Sequence, residues 1–265
     1  MLAQQKQFPQ TQWNYAPSRK LAAKVERHVT QLRQAARAQI APDQPVVTFS
    51  FDDFPKSALN GADIVEKHGG RGGFYACTSL LGQKSPVMGE MFDAATLKEL
   101  VARGHEIGAH SHSHLDCAKH KLDKVQKDVS ENLVALAEAG HAEHVSAFAY
   151  PYGETTFAAK SWVSDVFVTG RGILPGVNIG EADRSQLRAI ELGNSAASRK
   201  RAMAALKNCI ASRGWLFFFT HDVSPSPSNY GATTELVEEL AKTAVDMGAV
   251  LAAPTLGAVL CGVMD

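Results

Sequence analysis

The sequence predicts an α/β fold built around a parallel sheet of about seven strands, closed or nearly closed into a barrel. From Val46 onward, short apolar runs alternate with amphipathic helical stretches. Strands separated by helices pair in parallel through right-handed crossovers. The runs form one continuous series without a convincing boundary, which favours a barrel over a doubly wound sheet.

Seven strand candidates alternate with six helix candidates along this series. In chain order they are the strand VVTFSF, a helix over 60–68, the strand GFYAC, a helix over 93–103, the strand EIGAH, a helix over 123–139, the strand SAFAY, a helix over 155–164, the strand VFVT, a helix over 198–212, the strand WLFFFT, a helix over 234–247 and the strand AVLAA. The turn-rich segment SPSPSNYG, residues 224–231, is expected to be a surface loop. Catalytic residues of such a barrel lie where the strands end.

Residues 1–45 precede the first strand and contain an added N-terminal helix. Apolar residues recur at helical spacing from Ser18, an N-cap residue type, to Pro42. This stretch carries six basic residues against the single acid Glu26. A solvated basic face is the simpler interpretation, and contact with a membrane surface, another subunit or a second copy in a homodimer is the alternative. The chain is therefore divided into residues 1–45 and a main domain, 46–265.

Composition narrows the class of protein. Lys plus Arg and Asp plus Glu both number 27, so the chain has no net charge to attract nucleic acid. The four cysteines are widely spaced without a C-x-x-C pair, which predicts reduced thiols rather than disulfides or a thiolate zinc site. The first 20 residues lack the apolar stretch of a secretory signal, so we expect a cytoplasmic protein.

Two adjacent carboxylates, Asp52 and Asp53, follow the first predicted strand. Paired carboxylates at the end of an apolar run repel each other, and a cation or a shared proton relieves this. One of them can bind a metal ion while its neighbour takes a proton. Two turn or capping aspartates are the alternative.

Three histidines in five residues follow the third predicted strand. If the segment turns helical, His110 and His114 share a face and His112 points away; if it stays extended, all three share a side. Two imidazoles and the Asp53 carboxylate bind Zn²⁺ and leave positions open for water or substrate. Co²⁺, Ni²⁺ and Mn²⁺ suit the same ligands. This donor set indicates a hydrolase.

Two further strand ends supply polar groups. His221 follows WLFFFT and is a candidate general acid, since imidazole titrates near neutrality. Tyr152 lies in the turn of YPYG, where its amide N–H is a candidate oxyanion donor. Each signal is weak when taken alone.

These elements, in this order, resemble the polysaccharide deacetylases of carbohydrate esterase family 4, which share the NodB-homology domain. TFSFDDFP is similar to the first motif of the family, GHEIGAHSHSH to the second, YPYG to the end of the third and WLFFFTHDV to the fifth. The resemblance implies a distorted, incomplete (β/α)7 barrel over 46–265. It also implies that Asp53, His110 and His114 hold the metal, with Asp52 as general base and His221 as general acid.

Two motifs of the family are altered in this chain. Ala149 stands where an arginine often orients the general base, and Arg171 and Arg188 are the candidate replacements. The fourth motif of the family cannot be identified in this sequence. Asp183 is the nearest candidate for the carboxylate that would adjust the pKa of His221.

The leading hypothesis is a metal-dependent hydrolase that removes N-acetyl groups from an N-acetylglucosamine-containing glycan. A cytoplasmic enzyme would act on a precursor, as in the biosynthesis of holdfast-type adhesive exopolysaccharides. Two alternatives stay open: an allantoinase-like amidohydrolase acting on a small C–N amide, with Tyr230 closing the site, and a catalytically inactive glycan-binding module.

Overall fold

The computed structural model describes residues 29–264, and these form a nearly closed barrel of seven parallel strands surrounded by helices. The strands are β1 (Arg37–Ile40), β2 (Val46–Asp52), β3 (Gly73–Ala76), β4 (Lys84–Ser85), β5 (Gly89–Glu90), β6 (Glu106–Ala109), β7 (Ala147–Ala149), β8 (Thr169–Arg171), β9 (Gly180–Asp183), β10 (Ala189–Glu191), β11 (Trp215–Thr220), β12 (Val223–Ser224), β13 (Ala232–Thr233) and β14 (Val250–Leu251). The helices are α1 (Leu59–Lys67), α2 (Ala94–Ala102), α3 (Leu122–Glu138), α4 (Phe157–Val166), α5 (Ala196–Ser212), α6 (Thr234–Asp246) and α7 (Pro254–Leu260).

The barrel strands neighbour one another in the order β10, β11, β2, β3, β6, β7 and β8, and every pair is parallel. The two end strands meet through Leu187. Its amide donates to the Gly170 carbonyl at 2.7 Å, and its carbonyl accepts from the Gly172 amide at 2.9 Å. The predicted fold class, an incomplete (β/α)7 barrel, is therefore confirmed.

The seventh strand is not the one that the sequence predicted. The run AVLAA yields only the short strand β14, which pairs with the start of β2 outside the ring. Strand β10 completes the barrel instead, and its three residues are too few to show an apolar run. The strand predicted at VFVT begins three residues later, at Thr169, because α4 continues to Val166.

Side chains alternate between the interior of the barrel and the surrounding helices, as the two-residue period of a strand requires. In β11, Trp215, Phe217 and Phe219 pack in the interior cluster, whereas Leu216 and Phe218 pack in the cluster shared with the helices. The interior positions continue to the carboxyl ends of the strands. Those ends form the mouth of the barrel, where the polar residues singled out above lie.

The predicted N-terminal helix is wrong in its last part. Helical structure ends at Leu32, and Arg37–Ile40 form β1, which pairs antiparallel with β9. The pairing uses the edge of β9, and the Ala35 and Ala36 amides donate to the Asp183 carboxylate, both at 3.1 Å. Residues 18–28 of the predicted helix lie outside the described residues. The division of the chain at residue 45 stays a prediction.

No helix within residues 29–264 is both long enough and apolar enough to cross a membrane.

Candidate active site

The alternation within each strand places five polar side chains at the mouth of the barrel. Each occupies an interior position at or just after the carboxyl end of its strand: Asp52 on β2, His110 after β6, Arg171 on β8, Glu191 on β10 and His221 after β11. Four of them, with Arg171 excepted, line one cavity of about 210 Å³.

The paired carboxylates face different partners. Asp52 ends β2 in strand geometry, whereas the next residue, Asp53, has φ 52° and its amide donates to the Tyr75 carbonyl at 3.0 Å. This left-handed turn directs the Asp53 carboxylate toward the histidine segment. The adjacent carboxylates therefore have different partners within one cavity.

The histidine segment is neither a helix nor an extended strand. Ser111 and His114 adopt left-handed φ values of 58° and 55°, and the turn brings the His114 ring to 5.0 Å from the His110 ring. His112 points elsewhere, with Nδ1 at 3.0 Å from the Thr78 hydroxyl. Of the two sequence alternatives, the grouping expected for the helical one is present, although its backbone is not helical.

Two side chains of α3 hold the histidine segment, and the sequence analysis missed both. Asp128 accepts hydrogen bonds from the His112 amide at 2.8 Å and the Ser113 amide at 3.0 Å. Asn132 donates to the Ser111 carbonyl and the Ala76 carbonyl, each at 2.8 Å. Their four-residue spacing on one helical face, directly after the histidines, is the signal that would have found them.

The Asp53, His110 and His114 side chains form a group suited to a divalent ion. One ligand atom from each lies within 4.8 Å of the other two, and Nε2 of His114 is 3.4 Å from the Asp53 carboxylate. Asp53 Oδ1 is buried and has no hydrogen-bond partner among the described residues. The carbonyl of Ala149 accepts from His110 Nδ1 at 2.7 Å, so Nε2 of that ring presents its lone pair.

The protonation of these groups agrees with metal binding. Burial lowers the pKa of His110 and that of His114 to about 4, so both imidazoles are neutral near pH 7. Burial also raises the pKa of the Asp53 carboxyl, against the opposing effect of the nearby imidazoles. A buried carboxylate facing two neutral nitrogens is compensated by a cation, and the residues present therefore fit one.

Arg171 is the partner of Asp52. Its Nη2 donates to both carboxylate oxygens, at 2.5 and 2.6 Å, and both side chains are almost fully buried. Burial raises the pKa of the Asp52 carboxyl, but the guanidinium and the neighbouring imidazoles outweigh it and hold the pKa below its ordinary value. The alternative candidate, Arg188, donates to the Pro175 carbonyl instead. The guanidinium thus reaches Asp52 from β8, and not from the strand that ends at Ala149.

The predicted pairing of Asp183 with His221 is wrong. Asp183 accepts from Lys160 Nζ at 2.8 Å and from the Ser185 hydroxyl at 2.5 Å, and it holds the amides that precede β1. It does not line the cavity. The spacing in the sequence could not show this, because β9 lies outside the barrel ring and pairs with β1.

His221 is oriented by the loop that follows it. The Tyr230 carbonyl lies 3.1 Å from His221 Nδ1, and since a carbonyl only accepts, Nδ1 carries the proton. The loop is closed by Asp222, which accepts from the Ser228 amide at 2.7 Å and from the Ser228 hydroxyl at 2.5 Å. Nε2 of His221 is therefore left unprotonated in the neutral ring, ready to exchange a proton with a ligand in the cavity.

Tyr152 forms part of the cavity wall. It has φ 61°, and its ring meets the His114 ring edge to face at 4.5 Å between centroids. Burial raises the pKa of its phenol to about 12, so the hydroxyl stays protonated. The predicted role of its amide N–H stays a prediction.

A family model described as polysaccharide deacetylase matches residues 39–166. This segment contains Asp52, Asp53, the two histidines of the metal group and Tyr152. His221 lies beyond it. A search of curated proteins finds no match.

Solved structures share the fold at low sequence identity. A polysaccharide deacetylase described as putative, from Mycobacterium smegmatis, is 14% identical with a TM-score of 0.63, covering 84% of this chain and 95% of its own. A family 4 acetyl xylan esterase from Clostridium thermocellum, in complex with a cobalt ion, is 20% identical with a TM-score of 0.58, covering 81% and 91%. The peptidoglycan deacetylase PdaC from Bacillus subtilis is 16% identical with a TM-score of 0.55, covering 83% and 93%.

Proposed function

We propose that this chain, of which residues 39–166 match a polysaccharide deacetylase model, hydrolyses the N-acetyl groups of an N-acetylglucosamine-containing glycan with the aid of a divalent metal ion, Zn²⁺ in the first instance. The observation that carries the proposal is one cavity lined by a candidate base, a candidate metal group and a candidate acid. Metal-assisted hydrolysis of an acetamide uses all three functions, and it yields acetate and an amine.

Asp53, His110 and His114 would hold the ion. When bound, a divalent ion supplies Lewis acidity, which polarises an acetamide carbonyl and makes a water molecule more acidic. This chain contributes a buried, preorganised donor set to that chemistry. Asp128 and Asn132 fix the loop carrying the histidines, and the Ala149 carbonyl fixes the ring of His110.

Asp52 accepts the proton of the attacking water. Its depressed pKa keeps the carboxylate ionised near pH 7, and Arg171 holds both of its oxygens. Removal of a proton by a positioned carboxylate is general base catalysis. The amide N–H of Tyr152 is the proposed donor to the tetrahedral oxyanion.

His221 protonates the departing nitrogen. With Nδ1–H held by the Tyr230 carbonyl, Nε2 is the nitrogen that takes up a second proton to form the imidazolium and then gives it to the departing amine. The partner is a neutral carbonyl, so the orientation of this acid depends on the loop closed by Asp222 and Ser228 rather than on a carboxylate.

The substrate proposed is a glycan precursor in the cytoplasm, of the kind used to make an adhesive exopolysaccharide. All four cysteines are buried thiols that form no disulfide, which suits a reducing compartment. Deacetylation would expose amines whose positive charge binds anionic surfaces. A contact of residues 1–45 with a membrane or a second subunit remains part of this proposal.

The test is acetate release from N-acetylglucosamine oligomers by chelator-treated protein, with and without added Zn²⁺ or Co²⁺. We expect metal to restore activity, and we expect Asp52→Asn and His110→Ala to abolish it, while the exposed Glu143→Gln retains it. Allantoin serves as the small-amide alternative in parallel assays. Activity only on allantoin would replace the glycan by a small amide, and no activity with either substrate would favour a glycan-binding module.

A further inference from the structure

Among the described residues that line the cavity, Glu191 is the one charged side chain that the proposed reaction does not use. It ends β10, in register with Phe219 on β11, two residues before His221. Leu187 and Ala189 pack in the interior cluster, so the two-residue alternation directs Glu191 to the interior as well. Its side chain lines the cavity that contains Asp52 and His221.

The charge of Glu191 is not compensated within the described residues. Asp52 has Arg171, His110 has the Ala149 carbonyl and His221 has the Tyr230 carbonyl. The exposed Glu191 side chain has no ion pair and no side-chain hydrogen bond within residues 29–264, and its backbone carbonyl accepts from Ser198 Oγ at 3.2 Å. No lysine or arginine lines the cavity.

A carboxylate at such a position selects for a positive charge on the ligand. It accepts hydrogen bonds without donating any, and its attraction for an ammonium group is stronger than for a neutral hydroxyl. Each deacetylation proposed for this site leaves a free amine on the glycan. A chain that has already lost one acetyl group therefore carries a cation with which Glu191 can pair.

We propose that Glu191 determines specificity by binding the protonated amine of a sugar next to the reacting acetamide, so that the enzyme prefers partly deacetylated chains. This inference rests on the proposed deacetylase function. It names the substrate class of that same site: a glycan that carries both acetamide and free amine groups. A chain once deacetylated becomes a better substrate than an untouched one.

The experiment compares two tetramers of β-linked N-acetylglucosamine, one fully acetylated and one with a single free amine, at pH 6.5. The wild-type protein should show a kcat/KM about three- to fivefold higher for the amine-bearing tetramer, the range of a partly exposed ion pair. In Glu191→Gln, which keeps the shape and an acceptor oxygen, this ratio should fall to about one. High salt should reduce the wild-type ratio as well. The control Glu143→Gln should keep the wild-type ratio.

A second measurement separates recognition from folding or general catalysis. The fully deacetylated tetramer should inhibit the wild-type protein about three- to fivefold more tightly than Glu191→Gln. An unchanged ratio and unchanged inhibition in Glu191→Gln would overturn the inference. An equal loss of activity on both tetramers would also overturn it, because Glu191 would then act on the reaction itself. Failure of the wild-type protein to cleave even the fully acetylated tetramer would instead overturn the deacetylase proposal on which the inference rests.

Discussion

The two ends of the barrel differ in whether their buried polar groups find hydrogen-bond partners within the protein. At the floor, where the strands begin, Glu106 accepts from both the amide and the hydroxyl of Thr255 at 2.7 Å, at the start of α7. Trp215 is fully buried and donates from Nε1 to the Thr48 hydroxyl at 2.9 Å. A Cβ on Gly257 would come within 2.9 Å of the indole, so α7 packs tightly against it. Both of these floor groups are satisfied within the protein.

The mouth, in contrast, holds strain and unmet hydrogen-bonding capacity. Four of the five non-glycine residues with left-handed φ among the described residues lie there: Asp53, Ser111, His114 and Tyr152. Buried atoms without a protein partner also occur there, among them Asp53 Oδ1 and His114 Nδ1. Such residues persist only where the surrounding fold holds them, and they concentrate at functional sites. The floor therefore contributes to the stability of the barrel, whereas the mouth keeps polar groups available to bind ligands.

The largest effect is expected from breaking the ion pair between Asp52 and Arg171, which is buried at the mouth. Arg171→Met should lower kcat by about 100-fold, because it releases the base from its position. It should also reduce the free energy of unfolding by about 3–5 kcal/mol, since a buried carboxylate is left without its cation. Steady-state kinetics and urea unfolding measure the two effects. A wild-type kcat in Arg171→Met would remove the positioning role.

The same pair gives a dependence on pH. The pKa of Asp52 is lowered in the folded protein, so the pair contributes its full stability above the unfolded value of about 3.9 and loses it as the pH falls further. The difference in unfolding free energy between wild type and Arg171→Met should therefore shrink in acid. A difference that grew as the pH fell would contradict the assigned pairing.

The floor should show the reverse behaviour, with stability lost and chemistry kept. Trp215→Ala should cost about 3–5 kcal/mol of unfolding free energy, because it leaves a cavity under α7. The folded protein should keep its metal affinity and its kcat within about twofold. Leu256→Ala, on the exposed side of α7, is the matched control and should change stability by under about 0.5 kcal/mol. A change of metal affinity in Trp215→Ala would show that the two ends are coupled.

The sequence predicted the site residues that short segments identify, but it did not predict those whose contacts join distant parts of the chain. Asp52, Asp53 and the histidines lie at ends of obvious strands, so short segments sufficed to find them. Arg171 stood beside Arg188 as an equal candidate, since only the closed barrel brings β8 to β2. Glu191 was missed because its strand has three residues, and Asp183 was misassigned because its partners come from α4 and the N-terminal segment.

The most direct test of this account is calorimetric titration of chelator-treated protein with Zn²⁺, on the wild type, Asp53→Asn and the control His144→Ala, which removes an exposed imidazole. We predict one ion per wild-type and His144→Ala chain and at least about 100-fold weaker binding to Asp53→Asn. Without metal, Asp53→Asn should unfold at a temperature no lower than the wild type, since it removes a buried, uncompensated carboxylate. Equal zinc affinity in Asp53→Asn, or an earlier unfolding of its metal-free form, would contradict the claim that the mouth reserves this group for an ion.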